Sequence, residues 1–385
     1  MIRFIPLSTT LSFRGVDSSR LVALVSKSQY YCSSLVLRVK VIDKLMNILG
    51  IESSCDETAA GVVRNGNELL SNVISSQVDI HSRFGGIVPE LASRQHVLQI
   101  DSVIGHALDE AKVDLESVSA IAVTEGPGLA GALMVGLNTG KSLAWARDIP
   151  LIGINHLEGH IYAAWLEYED PAEKPGFPLM CLIASGGHTE LILMTGHGHY
   201  TAVGRTRDDA AGEAFDKGAR LLGLGFPGGP AIQNTAQGAT EAEKFPRAWL
   251  GDTFDFSFSG LKTSLLHRTQ NLSDDSFDET GRMKKSVVAS QAAAYQESIA
   301  DVLSEKAIRA AKKYKAKGIL IGGGVAANSR LRELIDQRSP IPTLIPKNSL
   351  CTDNGAMIAA AALYHLENGE RSSFDIDVNP NMSLA

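Results

Sequence analysis

"NILGIESSCDETAAGVVRN", Asn47 to Asn65, is two short apolar runs separated by a polar turn, "SSCDET". Such runs on either side of Ser, Asp and Thr signal two buried strands joined by a tight connection. The pattern returns in "LMCLIASGGHTELILM", Leu179 to Met194, with glycines now in the turn. The first hairpin leads on to "SAIAVTEGPGLAGALMVGLNTGKSLAWA", a buried strand, a Gly/Pro turn and a small-residue helix. The second leads on to "KGILIGGGVAANSRLREL", a strand, a Gly-rich turn and a helix. "ELASRQHVLQIDSVIGHALDEA" places apolar residues at helical spacing. A chain that twice opens on a hairpin and continues through strand–helix crossovers predicts a duplicated α/β fold with mixed sheets. "DPAEKPGFP" is a polar Pro/Gly connection between the halves. The expected organisation is a leader over 1–45, a first lobe over 46–177 and a second lobe over 178–385.

The bulk numbers bound the function. The 385 residues are 44% hydrophobic and 21% charged, an ordinary globular balance. No apolar run approaches the roughly 18 residues of a membrane-spanning helix. Four cysteines without a C-x-x-C pair argue against a disulfide framework and for a reducing compartment. Residues 1–45 carry seven Lys/Arg, two Asp and eight Ser, an acid-poor composition of the kind found in organelle transit peptides. Met46 stands directly before the first strand, as an upstream start choice would leave it. This second reading is preferred, giving a cytoplasmic expectation with a mitochondrial or plastid copy as the alternative. Without the +5 of the leader, a net charge of −7 becomes −12, so nucleic acid would be met through local patches or a partner. "KKYKAK", 312–317, and Arg330 and Arg332 are the local basic candidates.

Five stretches can carry chemistry. "INHLEGHIYAAW", Ile154 to Trp165, puts His156 and His160 one helical turn apart on one face, where they can share a metal. Glu158 lies about 200° round the helix from either histidine, so the arrangement differs from the H-E-x-x-H of zinc peptidases, whose glutamate serves as base. Asp353, in "CTDNGAMIAAAAL", stands at a helix start, where N-capping is its default role and a third metal ligand the sharper one. Two His and one Asp suit Zn(2+) or Fe(2+) with positions left open. The turn "SSCDETAAG" offers backbone N–H groups for a phosphate, with Asp56 and Glu57 beside it, or is a hydrated hairpin loop. "ASGGHTE" and "GGGVAAN" let the backbone approach a ligand at Gly186, Gly187 and Gly322–Gly324, with Asn328 offering a donor and an acceptor; both also serve as plain tight turns. Asp216, in "DDAAGEAFDKGAR", can bind sugar hydroxyls, and Gly229, in the rigid turn "FPGGP", permits close approach of a ligand.

Taken together these residues resemble one family, the tRNA threonylcarbamoyladenosine transferases (TsaD), once described as sialoglycoprotein endopeptidases. The matching blocks are "GIESSCDETAAGVV", "GGIVPELASRQH", "EGPGLAGALMVG", "NHLEGH", "ASGGHTEL", "DDAAGEAFDK", "PGGP", "FSFSGLKT", "GGGVAAN" and "CTDNGAMIA", in the family's order from Met46 onward. Gln233 departs from the pattern, standing near a place where the family often has an acidic residue.

The resemblance implies the actin/Hsp70/sugar-kinase (ASKHA) fold, two duplicated lobes around a nucleotide. It implies transfer of a threonylcarbamoyl group from threonylcarbamoyl-AMP to N6 of the adenosine at tRNA nucleotide 37, in tRNAs reading codons that begin with A. His156, His160 and Asp353 would hold one metal, usually iron, with zinc the alternative. Ile183, Ala184, Ser185, Gly186, Gly187, Asp216, Gly229 and Asn328 would bind the adenylate. No general base is implied; Asp56 and Glu57 are the candidates. A TsaB-like paralogue and a TsaE-like ATPase are the expected partners, with a homodimer as an alternative. A metallopeptidase and a small-molecule kinase or ATPase on the same fold are the competing readings.

Overall fold

The computed structural model describes residues 45–168, 170–240 and 244–385. The expected leader, apart from residue 45, lies outside them. The hairpins form where the two apolar runs predict them. β1 (Asn47–Glu52) pairs antiparallel with β2 (Glu57–Arg64), and β2 with β3 (Glu68–Ser76). β4 (Val118–Gly126) and β5 (Leu151–Asn155) add in parallel on the other side of β1, giving the order β3-β2-β1-β4-β5. The second sheet repeats this. β6 (Leu179–Ala184), β7 (Thr189–Gly196) and β8 (His199–Arg205) run antiparallel, while β9 (Gly318–Gly322) and β10 (Thr343–Leu344) run parallel to β6, in the order β10-β9-β6-β7-β8. The duplication inferred from two hairpins is thus a duplication of the whole sheet.

Neither β5 nor the two-residue β10 is among the expected strands, and β3 and β8 are not either. Both are outer strands with few buried side chains, so they lack the apolar runs that marked the others.

Helices cover the sheets. α1 (Pro89–Ala111) and α2 (Ala130–Arg147) pack on the first. The short α3 (His156–Tyr162) leaves the end of β5. On the second lobe lie α4 (Ala211–Leu221), α5 (Gly228–Ala236), α6 (Ser259–Gln270), α7 (Lys285–Lys313) and α8 (Ser329–Arg338). "FPGGP" is therefore not a free turn: Gly228 begins α5, after a cap at Pro227.

The last helix, α9 (Gly355–Glu367), returns to the first sheet, although it follows β10 in sequence. A cut at 177/178 separates the two sheets and leaves α9 on the far side of the cut from the strands it packs on. Its Ala-rich sequence is buried on nearly all sides, as expected for a helix without a polar face. Close packing depends on glycine: a Cβ on Gly355 would meet the backbone of Ala60 and Gly61 at 2.4 Å. One apolar cluster joins α9 and α3 to residues of both sheets, among them Ile48, Ala120, Leu179, Ile183 and Leu320. This cluster holds the helix that carries the histidines and the helix that follows Asp353. Among the described residues no helix is long and apolar enough to cross a membrane.

Candidate metal and nucleotide site

α3 starts where it does because Asn155 caps it, its side chain accepting from the N–H groups of Leu157 and Glu158. This fixes His156 in the first turn and His160 one turn on, their rings 4.7 Å apart at 76°. The corresponding cap at α9 corrects an expectation. Asn354, not Asp353, accepts from the Met357 N–H. Asp353 is released from capping and points at the histidines, its Oδ1 3.5 Å from His156 Nε2 and 3.3 Å from His160 Nε2.

These three residues present one ligand atom each, all within 4.8 Å of one another. Ligands of a tetrahedral ion at about 2.1 Å stand about 3.4 Å apart, so the spacing suits a cation at the centre. His160 gives a second indication. It is fully buried and, the Asp353 contact apart, neither of its ring nitrogens has a hydrogen-bond partner among the described residues. A buried imidazole in that condition is costly unless something else takes its lone pair.

The electrostatics agree. Burial lowers the proton affinity of His156, but the carboxylates of Asp353 and Glu52 outweigh it and lift its pKa to about 9. Burial and the neighbouring His156 push His160 the other way. Asp353 is held down at about 2, the two histidines overcoming the effect of burial. The pocket therefore favours a positive charge.

Glu52 is the residue that sequence reasoning missed. It ends β1, is fully buried, and its Oε2 accepts from His156 Nδ1 at 2.9 Å and from Thr124 Oγ1 at 2.6 Å. That bond turns His156 Nε2 toward Asp353 and fixes the tautomer, as an outer carboxylate does for a metal-bound histidine. The signal was available: an acidic residue closing an otherwise apolar strand needs a buried partner.

Glu158 faces away, as its angular position on the helix predicts. Its carboxylate accepts from Tyr200 Oη at 2.7 Å and meets His365 Nε2 of α9 at 2.9 Å. It is occupied in structure and cannot serve as a base at the histidines.

The two hairpin turns flank the cluster. In the first, burial raises the Asp56 carboxyl, with Asp353 adding to it, and lifts Glu57 to about 8. Glu57 accepts from Ser76 Oγ at 2.8 Å through Oε1, while Oε2 is buried without a partner. In the second, a Ser185–His188 turn closes with Ser185 N–H donating to the His188 carbonyl at 2.8 Å. The space beside Gly186 and Gly187 is open, with nothing within 4 Å of where a Cβ would stand. Ile183 and Ala184 are the buried end of β6 leading into this turn. Gly322 of β9 backs directly onto α3: a Cβ there would meet the His160 carbonyl at 2.7 Å.

Asp216 on α4 accepts from Gly228 N–H at 2.7 Å, tying α4 to the start of α5, where Gly229 again faces open space. Asn328 is buried and caps α8, accepting from Leu331 N–H at 3.0 Å while its Nδ2 donates to Gln296 at 2.9 Å. Gln233 accepts from Ser329 N–H at 2.7 Å in the same corner, the use to which its amide is put. Of the basic candidates, Arg330 is paired with Glu297 and Glu333, and Arg332 donates to the carbonyls of Ala326 and Pro346. Lys312, Lys313 and Lys315 remain exposed around the C-terminal end of α7.

The family model "TsaD: tRNA N6-adenosine threonylcarbamoyltransferase" matches residues 68–360. This chain belongs to the TsaD family. It is 54% identical over 354 residues to the tRNA N6-adenosine threonylcarbamoyltransferase of Thermomicrobium roseum, covering 88% of this chain and 97% of that protein. The enzymes of that name from Dehalococcoides mccartyi (53% identity, 88% of this chain, 99% of that protein) and Listeria welshimeri (51%, 88% and 96%) are similarly close. As a TsaD-family member the protein is a transferase that acts on tRNA. Among solved structures, HypF of T. kodakarensis matches with a TM-score of 0.55 at 14% identity, over 85% of this chain and 48% of that one. A likeness at that level concerns the fold, and with the duplicated sheets it gives the ASKHA type. Among the described residues Cys55, Cys181 and Cys351 are free thiols; Cys32 lies outside them.

Proposed function

We propose that the chain transfers the threonylcarbamoyl group of threonylcarbamoyl-AMP to N6 of the adenosine at nucleotide 37 of tRNAs reading codons that begin with A. The observation that carries the proposal is the convergence of His156, His160 and Asp353 on one point. The two lobes are 46–177 and 178–385, with α9 lent back to the first. His156, His160 and Asp353 hold one divalent cation, Fe(2+) by the resemblance and Zn(2+) by ligand chemistry alone. When bound, it supplies an electrophile that polarises the carbamoyl carbonyl.

The chain's own residues do the rest. The turn from Ile183 to Gly187 takes the adenylate phosphate against its backbone, with the open faces of Gly186 and Gly187 allowing contact. Asp216 and Gly229 receive the ribose, and Asn328 fixes the base end. N6 attacks the carbamoyl carbon, the C–O bond to phosphate breaks, AMP leaves, and one N6 proton is lost. Asp56 and Glu57 are the candidates to accept it. Because the donor is preactivated, no nucleophilic side chain is required, and positioning supplies much of the rate.

A TsaB-like paralogue and a TsaE-like ATPase are the proposed partners. Val97, Leu98, Met134 and Trp145 on α1 and α2 are exposed apolar side chains that a partner, or a second copy of this chain, would cover. The proposed location is the cytoplasm.

Purified chain with its partners, threonylcarbamoyl-AMP and unmodified tRNA should yield modified adenosine. His160→Ala should lower the rate by on the order of 100-fold or more and release the metal. Undiminished product from that variant would refute the metal site. Phosphoryl transfer from ATP to a small molecule, or chelator-sensitive proteolysis, would favour the competing readings.

A further inference from the structure

The segment from Gln77 to Val88 is not used by the reading above, yet it bridges the first hairpin turn and α4. One foot rests on the first turn, where Gln77 N–H donates to the Asp56 carbonyl at 3.1 Å. The other side is held by α4, the helix of Asp216, whose Arg220 donates to the Gly85 carbonyl. The loop is stapled shut by His81, which is fully buried. Its Nδ1 accepts from Val88 N–H at 3.3 Å, its Nε2 donates to Gln77 Oε1 at 3.1 Å, and its carbonyl accepts from Gly86 N–H at 3.3 Å. Gly85 turns the chain with φ of 69°. A loop fixed at this many points does not swing as a lid.

What this rigid loop displays is unusual in combination. Phe84 is 61% exposed and Ile87 37%. Arg83, next to Phe84, is exposed and makes no hydrogen bond or ion pair among the described residues. Behind the loop the side chains of Glu52, Asp56, Glu57, Asp216 and Asp353 offer a phosphate backbone no cation of their own. A substrate RNA entering there needs a cation and an apolar surface at the rim. Single-stranded RNA loops are held by aromatic side chains that stack on splayed bases and by arginines on phosphates. A protein partner would call for a broader apolar face than one phenyl ring beside a guanidinium.

We propose that the Gln77–Val88 loop is a finger for the anticodon loop: Phe84 stacks on a base flanking the target adenosine, and Arg83 binds the adjoining phosphate. This rests on the reading that tRNA is the acceptor.

The test uses the full chain and an anticodon stem-loop RNA carrying 2-aminopurine beside the target adenosine. Phe84→Ala should weaken binding about tenfold and remove the fluorescence quenching that stacking produces. Phe84→Trp should restore both. Arg83→Ala should weaken binding, keep the quenching, and reduce the dependence of log affinity on log salt by about one. Affinity for AMP should not move in any of them. RNA binding by Phe84→Ala equal to wild type, or loss of AMP affinity in that variant, would overturn the finger while leaving the transferase reading in place. Wild-type chain that, with its proposed partners present, neither binds the RNA nor modifies tRNA would remove that reading along with it.

Discussion

The two hairpin turns occupy equivalent places in equivalent sheets, and their chemistry is opposite. The first, 53–57, lies between Glu52 and Thr58, is buried or half-buried throughout, and turns polar groups inward, Glu52 onto His156 and Ser53 onto the Ala132 carbonyl. The second, 185–188, has two glycines with open space beside them and keeps its backbone available. One topology thus supplies a wall whose charged Glu52 orients His156 and a bare wall with open space beside its backbone. Duplication fixes where the turns lie, and side-chain chemistry decides what each does.

The sharpest way to break this contrast is to neutralise the charged wall. Glu52→Gln keeps the shape and removes the charge that orients His156. Affinity for Zn(2+) or Fe(2+), followed by titration of the stripped protein, should fall by roughly 10–100-fold. An unchanged affinity would make Glu52 a packing residue only. Filling the bare wall should do the reverse. Gly187→Val places two methyls where a ligand is proposed to lie. The KM for threonylcarbamoyl-AMP should rise about tenfold while metal affinity stays as in wild type. Equal effects on both would mean that the turns do not divide the labour.

Much of this contrast was legible before the fold was known, because turn residues between apolar runs are a local signal. The hairpins, the His156/His160 spacing and the outward course of Glu158 all follow from period and composition. What could not be read locally depends on non-local packing. Asp353 and Asn354 are equally good caps on paper, and only the seating of α9 on β1 and β2 through Gly355 decides that Asn354 caps and Asp353 faces the histidines. Glu52 looked like a strand end because its partner His156 lies 104 residues away. Asn328 reads as a ligand contact, yet its amide also holds the N-terminus of α8, as does that of Gln233, which no spacing rule reveals. β3 and β8 carry too few buried residues to mark themselves.

The smallest expected effect is on stability, and here the two turns should respond to pH in opposite senses. Burial raises Glu57 to about 8 in the folded chain, above the ordinary 4.5. Below 4.5 both states carry the proton and the fold has its full stability; between there and about 8 the unfolded chain ionises more readily, so stability falls as pH rises. His188 in the second turn is the mirror case. Burial, reinforced by His156 and His160, lowers it from 6.5 to about 4. The unfolded chain takes up the proton first, so this contribution is intact above 6.5 and is lost as pH falls toward 4. Thermal melts with chelator present should therefore show Glu57→Gln gaining a few °C at pH 8 and little at pH 5. His188→Gln should gain at pH 5 relative to its value at pH 8. The same shift at both pH values in both variants would mean that the charged and bare walls are electrostatically alike. The contrast between the turns would then lie in glycine and exposure alone.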